Sequence, residues 1–280
     1  MALSAYGFSL IFRITHAFHL AQAGVYACGV YAYIFALEKF GTSPFGHIIS
    51  LIFSAGIACS LGWLIEKAVY LPIHAKRGNE ALTLVGSLGA NAILINLIAI
   101  FFGNEVKIVP GTWKIEPLEL LPGLIVTNLQ IIQFAVAALV LAGFHWMLNR
   151  STLLLNFKAV ADNYDLAEVS GINVRRIRTW TVVGGSLLVF VAGVLRAHDI
   201  GVEPYSGLDV TLSAAVVAVL TGSIGVRETV LVALVLTLLQ NLTEWFLSAQ
   251  WREGLTFLFL LLVMLWRTEG VLSYQLRKDK

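Results

Sequence analysis

The sequence predicts an all-α, polytopic membrane protein of about eight or nine transmembrane segments, with one helical polar element on its cytoplasmic side. Three observations predict it. Hydrophobic residues make up 58% of the chain and charged residues 13%, with a mean hydropathy of +0.81; a soluble domain carries about a quarter charged residues. Apolar blocks near the roughly 20 residues needed to cross a bilayer core recur along the chain. Between two of them lies a polar island, Lys158 to Arg178 (KAVADNYDLAEVSGINVRRIR). These blocks leave no room for a separate soluble domain, so residues 1–280 are read as a single transmembrane domain.

Taken in order, Leu3 to Phe12 is a short first segment stopped by Arg13. It lacks a basic n-region and a small-residue cleavage site, so it is not read as a removed signal peptide. Ala17 to Leu37, Phe45 to Ile65, Ala81 to Phe102 and Leu124 to Leu148 are each long enough to cross, and Thr179 to Leu195 is a further crossing. Val210 to Ile224 is apolar but short and is followed by Gly225, Arg227 and Glu228, the pattern of a tilted or discontinuous helix. Thr229 to Leu247 and Gly254 to Trp266 complete the set.

Basic residues in the short connections orient these segments. Lys67, Lys76 and Arg77 lie in one connection; Arg150, Lys158, Arg175, Arg176 and Arg178 lie around the island; Arg267, Arg277, Lys278 and Lys280 lie in the tail. The connections Asn104 to Gly123 and His198 to Asp209 are acidic or balanced. Alternation then places the island and the C-terminus in the cytoplasm, provided that Val210 to Ile224 and Thr229 to Leu247 are separate legs.

The net charge of +2, without a Lys or Arg run, gives no reason to expect nucleic acid as a partner. Cys28 and Cys59 sit in apolar segments and read as small hydrophobes, and the six histidines have no metal-site spacing. Glycines and other small residues inside the segments suit close helix packing. Polar side chains at membrane depth are His16, His19 and Gln22, Asn91 and Asn96, and Gln240, Asn241 and Glu244. Each is read either as a helix-to-helix hydrogen-bonding group or as the lining of a polar path.

The island reads as helix, turn, helix. Ala159, Ala161, Leu166, Ala167 and Val169 give a small apolar face; Asp162, Asn163, Asp165 and Glu168 give a polar one. Gly171 ends the first helix and Asn173 caps the next, which carries Arg175, Arg176 and Arg178. An amphipathic helix resting on lipid headgroups is the competing reading, but a face made mostly of alanine binds an interface weakly. Insertion into a groove of a soluble partner suits it better.

The run Lys158, Ala159, Ala161, Asp162, Ala167, Gly171, Ile172, Asn173 resembles the cytoplasmic coupling loop of the permease subunits of ABC importers of the branched-chain amino acid (Liv) type, R-A-x-A-x-D-x-x-x-A-x-x-x-G-I-N, with the Asp one residue out of register. Other landmarks follow in the family's order. Ile65 to Pro72 (IEKAVYLP) resembles I-E-R-x-x-Y-R-P, and Gly89 with Asn96 resembles G-x-S-x-x-x-x-x-N, with Asn91 where Ser is usual. Val202 to Gly207 (VEPYSG) and Trp266 to Val271 (WRTEGV) resemble the V-x-P-x-x-G and closing R-P-x-G segments. The resemblance runs from Tyr6 to Leu272. It weakens at His19 to Ala23, where the family has N-x-A-H-G, and at Thr221 to Gly225, where it has G-G-x-G-S.

The resemblance implies a multi-pass permease of the plasma (inner) membrane. Such a subunit pairs with a second homologous permease, with ABC ATPase subunits that bind the ATP, and with an extracytoplasmic substrate-binding protein, and it imports branched-chain or related amino acids. Carried onto this chain, the ATPase-docking residues are Lys158, Ala161, Asp162, Ala167, Gly171, Ile172 and Asn173, the alanines and glycine being small enough for close approach. The substrate path is His19, Gln22, Gly89, Asn91 and Asn96. No G-x-x-x-x-G-K-[ST] loop occurs, so the chain is expected to be a transport subunit and no enzyme, with no cofactor of its own. The alternatives are a permease of the same family for urea or short amides, an accessory subunit that keeps ATPase docking without transport, and an intramembrane enzyme built on Glu244 or the His16/His19 pair.

Overall fold

The computed structural model describes residues 1–15, 17–75, 80–111, 117–121, 124–222, 225–248 and 250–266. His16, Lys76, Arg77, Lys114, Ser223, Ile224 and the tail from Arg267 onward therefore lie outside the described residues. The chain forms α1 (Ala2–Thr15), α2 (Ala21–Phe40) and α3 (Pro44–Ile65), which continues without a break through a π-helical turn, Glu66–Tyr70, into α4 (Leu71–Ala75). Then come α5 (Glu80–Phe102), a hairpin of β1 (Pro117–Leu121) and β2 (Leu124–Thr127), and α6 (Asn128–Arg150). The island folds as α7 (Leu153–Asp162) and α8 (Tyr164–Val169), and α9 (Val174–Ile200), α10 (Ser206–Thr221), α11 (Val226–Phe246) and α12 (Trp251–Trp266) complete the chain.

Local chemistry sets many of these ends. Ser43 accepts the Gly46 N–H at the start of α3, with Pro44 in the first turn, and Thr127 and Gln130 form a reciprocal capping box on α6. The hairpin pairs Pro117 with Thr127 and Leu118 with Val126 in antiparallel register, and so takes the first four residues of the expected Leu124 to Leu148 span out of the helix. Lys107 and Val202 exchange backbone hydrogen bonds of 2.8 and 2.9 Å, tying two connections expected on the same side of the bilayer.

Among the described residues, five helices are long and apolar enough to cross a membrane: Pro44–His74, Ala81–Phe102, Asn128–Arg150, Val174–Ile200 and Val226–Phe246. Ala2–Thr15 and Ser206–Thr221 are apolar but shorter. α2, with Gln22, three tyrosines, Glu38 and Lys39, is long enough yet more polar, and most of its residues are buried in protein. Two expected boundaries move. The segment after Ile65 remains helical to Ala75 instead of opening into a loop, and α9 begins at Val174, so Arg175, Arg176 and Arg178 ride on the spanning helix itself.

α2 is the packing centre. Its Val25, Tyr26, Val30, Tyr33 and Leu37 are buried with Ala58 of α3, Ile98 of α5 and Val189, Phe190 and Val194 of α9. A second cluster joins Leu3, Tyr6, Leu10 and Ile14 of α1 to Leu141 of α6, Phe157 and Val160 of α7, and Ile177 and Leu188 of α9. A third joins Ala5 and Phe8 to α10 and α11. The outer faces of α3, α5, α6 and α11 expose Phe45, Ile52, Ile100, Phe101, Phe134, Leu139 and Leu231, an apolar surface suited to lipid.

Small residues let the central helices approach. A Cβ on Gly185 of α9 would lie 2.6 Å from Ile11 Cδ1, and one on Gly7 of α1 would lie 2.9 Å from the Gly185 carbonyl oxygen. Gly185→Val should therefore lower stability by roughly 1–3 kcal/mol through overpacking. Gly143→Ala, at a helical position with nothing within 4 Å, should hold or raise it. Thermal unfolding of the two variants in detergent checks this, and equal midpoints would show that α1 and α9 do not meet at Gly185.

Candidate functional site

Two features are built around α9. The first is the island. Asn163 leaves the helical conformation (φ −154°, ψ 108°) to end α7, and its side chain accepts the Leu166 N–H at 3.0 Å to cap α8. α8 closes in a Schellman turn: the Gly171 N–H bonds to Glu168 O at 3.0 Å and the Ile172 N–H to Ala167 O at 3.1 Å, with Gly171 at φ 82°. An L side chain is strained at that φ, so glycine is needed there. Two residues later the Asn173 side chain accepts the Arg176 N–H at 3.1 Å and starts α9. These caps hold a six-residue helix that would not persist alone.

The faces of this element are reversed from expectation. Ala161 and Ala167, 8% and 3% exposed, point inward and pack with Phe157, Val160, Val174 and Ile177 against α1. Their small side chains seat α7 and α8 on the bundle and do not present a shallow surface outward. The outward surface carries Lys158, Asp162, Asp165, Glu168, Gly171 and Asn173, with Leu166 64% and Val169 87% exposed. Ile172 is half-buried behind Gly171.

The second feature is a buried polar seam beginning one helical turn inside α9. Arg178 Nε donates to Glu66 Oε1 at 3.1 Å, and the two side chains are 4% and 0% exposed. Glu66 opens the π-helical turn and Tyr70 closes it; such turns often mark functional sites. The buried Tyr70 hydroxyl is hydrogen-bonded to His19 Nδ1, in the turn that leads into α2. On the neighbouring α5, Ser87 Oγ accepts the Leu20 N–H at 3.3 Å and lies 3.1 Å from the Phe18 carbonyl oxygen, holding the same turn from the other side.

Beyond His19 the seam enters a region of buried polar atoms without partners among the described residues: His19 Nε2, both amide atoms of Gln22, Asn91 Oδ1, Ser186 Oγ and Glu66 Oε2. A Cβ on Gly24 would lie 3.2 Å from Asn91 Oδ1 and one on Gly7 would lie 3.4 Å from Gln22 Nε2, so these amides border the contacts of α1, α2 and α5. Unpaired buried polar groups are costly, and sites of this polarity hold ordered water or a polar ligand.

Of the five residues expected along a substrate path, His19, Gln22 and Asn91 fall in this seam. Gly89 and Asn96 fall on the exposed side of α5, where Asn96 Nδ2 bonds back to the Ala92 carbonyl oxygen at 2.7 Å. The residues that sequence reading passed over are Glu66, Tyr70, Ser87 and Arg178. Glu66 and Tyr70 lie past the expected end of the span at Ile65, although Ala68, Val69, Leu71 and Ile73 continue the apolar character of α3, the signal that the helix runs on.

The polar residues of α11 divide in the same way. Gln240 is buried and donates to Ser213 Oγ (3.1 Å) and Thr256 Oγ1 (2.9 Å), linking α10, α11 and α12; Asn241 is exposed; Glu244 pairs with Arg252 at 2.9 Å. Among the described residues no group of three or more His, Cys, Asp or Glu is placed to hold a metal ion, and both cysteines are free.

Comparison with known proteins places these features in a family. The family described as "Branched-chain amino acid transport system / permease component" matches residues 1–265. The chain is 27% identical, over 97% of its length and 91% of the relative's, to the high-affinity branched-chain amino acid transport system permease protein LivH of Escherichia coli (strain K12). The same identity and coverage hold for the corresponding permease BraD of Pseudomonas aeruginosa. A probable branched-chain amino acid transport permease protein LivH of Methanocaldococcus jannaschii is 20% identical over 91% of this chain and 80% of its own. No solved structure matches. A multi-pass α-helical chain matched from its first residue to Leu265 of α12 belongs to the branched-chain amino acid transport system permease family.

Proposed function

We propose that this chain is a permease subunit of an ABC importer for branched-chain or related amino acids, driven by ATP hydrolysis on separate cytoplasmic subunits that dock on α7 and α8. It works with a second homologous permease and an extracytoplasmic binding protein, and it contributes no ATPase site. In this reading α1, α2, α10 and α12 join the five long helices to make up the eight or nine segments, and the island and C-terminus face the cytoplasm of a plasma (inner) membrane protein.

The observation that carries this reading is the coupling element itself. It is fixed to the bundle by caps and by Ala161 and Ala167, it presents Leu166 and Val169 outward, and it runs directly into the helix whose Arg178 is buried against Glu66. A push on α8 is delivered to the start of α9, because the turn between them is a closed hydrogen-bonded motif and not a slack loop. From there it reaches the π-helical turn through Arg178 and Glu66, then the head of α2 through Tyr70 and His19. A transporter that alternates between outward and inward states needs its coupling element and its path to be physically connected, and this run of contacts supports such a connection. The unpaired amides of Gln22 and Asn91 next to that contact suit the lining of the path.

Two outcomes are expected. Val169→Asp and Leu166→Asp, on exposed side chains, should leave folding intact and remove co-purification with the cognate ATPase; undiminished capture would place docking elsewhere. Arg178→Met leaves Glu66 buried without its partner and should cost about 3–5 kcal/mol in unfolding free energy. The double variant Glu66→Gln/Arg178→Met should recover most of that stability without recovering ATP-driven uptake in proteoliposomes. Uptake restored with stability would show that the pair holds the fold together and transmits nothing.

A further inference from the structure

At the end of α9 that carries the coupling element, a cavity of about 580 Å³ lies between α3 and α9 and is open to the outside. Arg175 and Arg176 line it, and no carboxylate does. The lining hydroxyls of Ser60 and Thr179 donate to carbonyl oxygens of their own helices, Gly56 at 2.7 Å and Arg175 at 3.0 Å. Its free polar character is therefore that of two guanidiniums. Arg178 turns inward to Glu66, whereas Arg175 and Arg176 stay exposed and form no ion pair among the described residues. Lys67 stands beside the lining as a third cation, its Nζ 4.5 Å from the centroid of the Trp63 ring. The rest of the wall is Trp63, Cys59, Trp180 and Val183. The last three also line a second cavity of about 280 Å³, which Phe144 and Met147 of α6 and Leu187 of α9 help to close. That cavity has no charged side chain in its lining, and its Thr181 hydroxyl donates to the Ile177 carbonyl oxygen at 2.9 Å. A cationic mouth thus leads into an apolar chamber.

We propose that the two cavities together hold one anionic phospholipid, its phosphate on Arg175 and Arg176 and one acyl chain running past Trp180 and Val183 toward Leu187. Guanidinium forks match phosphate oxygens in a bidentate manner, and a basic pocket between spanning helices suits an anionic headgroup. Unpaired cations on a helix that enters lipid are costly unless they reach such groups. Trp63 and Trp180 are both exposed, and an indole with its polar edge sits well at headgroup depth. Depth agrees with this placement. Eleven residues of α9 separate Arg176 from Leu187, about 16 Å of helix. That is about half of a roughly 30 Å hydrocarbon core, the reach of one leaflet. A soluble anion would leave the apolar chamber unused, and an acidic protein surface could not follow the groove below the headgroups. This inference goes beyond the permease reading and takes from it only the orientation, which makes the leaflet the cytoplasmic one.

The test is native mass spectrometry of the full chain, delipidated in a neutral detergent and titrated with phosphatidylglycerol, phosphatidylethanolamine or phosphatidylcholine of identical acyl chains. One phosphatidylglycerol should be retained in preference to either zwitterionic lipid. Arg175→Gln/Arg176→Gln should weaken its binding roughly ten- to thirtyfold and leave the zwitterionic lipids unchanged. Arg175→Lys/Arg176→Lys should keep most of the preference, and Val183→Trp, which fills the passage between the cavities, should weaken binding with both arginines in place. Should the double glutamine variant fail to fold, Arg175→Gln and Arg176→Gln singly carry the comparison. Equal retention of the three lipids, or a preference that survives loss of the arginines, would overturn the site. Glycerol 3-phosphate, which has the phosphate without the chains, should not compete; displacement of phosphatidylglycerol by it would reduce the site to one for free phosphate and overturn the lipid. Loss of ATPase capture or of a self-associated form in the glutamine variants, with the lipid preference intact, would assign the arginines to a protein partner and also overturn it. Amino acid uptake by the assembled importer, measured in parallel, separates the two ideas: uptake without a lipid preference removes the lipid site alone, whereas a lipid preference without uptake removes the permease reading alone.

Discussion

Glu66 and Arg178 are both taken fully out of water, on helices more than a hundred residues apart in sequence, and neither can be left there alone. Removing a charge from water is expensive, and more so where the surroundings are protein and lipid, so each side chain is tolerable only because the other meets it at 3.1 Å. That requirement fixes much else. It sets the rotation of α9 about its axis, the depth of α3, and the need for the helix to continue past Ile65 and carry Glu66 and Tyr70 inward on a widened π turn. The His19 turn is then positioned from Tyr70, and α2 starts where that turn ends.

The remaining architecture follows from packing in a solvent that is itself apolar. Leu and Ile gain little by leaving lipid, so helices associate where small residues let backbones meet. Gly7 and Gly185 supply this between α1 and α9, and the wide apolar faces of α3, α5, α6 and α11 are left outward. α2 shows the converse: tyrosines, Gln22 and a charged last turn are poor company for lipid, and the chain surrounds that helix with four others.

The island shows how a weak helix becomes a rigid one. Six residues of α8 hold their shape because Asn163, the Gly171 turn and Asn173 satisfy the backbone groups at the helix ends, and because Ala167 is buried beneath them. What results is a compact helical element whose outer surface carries Asp162, Asp165 and Glu168 with two apolar points, Leu166 and Val169, and which a closed turn joins to a long apolar helix.

Composition and the length of apolar runs determined that this is an all-α membrane protein, because lipid forces backbone hydrogen bonds to close within a segment whatever the neighbours do. The caps of the island were legible for a similar reason: Gly171 and Asn173 act on groups within a few residues of themselves. The ordered landmarks from Ile65 to Val271 determined the family. Which way a residue faces was decided only by the tertiary structure. Ala161 and Ala167 look like a docking face until α1 and α9 pack against them, and Asn91 and Asn96 look alike until α2 lies along one side of α5 and not the other. Glu66 could not be separated from a surface loop in sequence, since the side chain that makes its burial tolerable, Arg178, lies 112 positions away and meets it only in the folded protein.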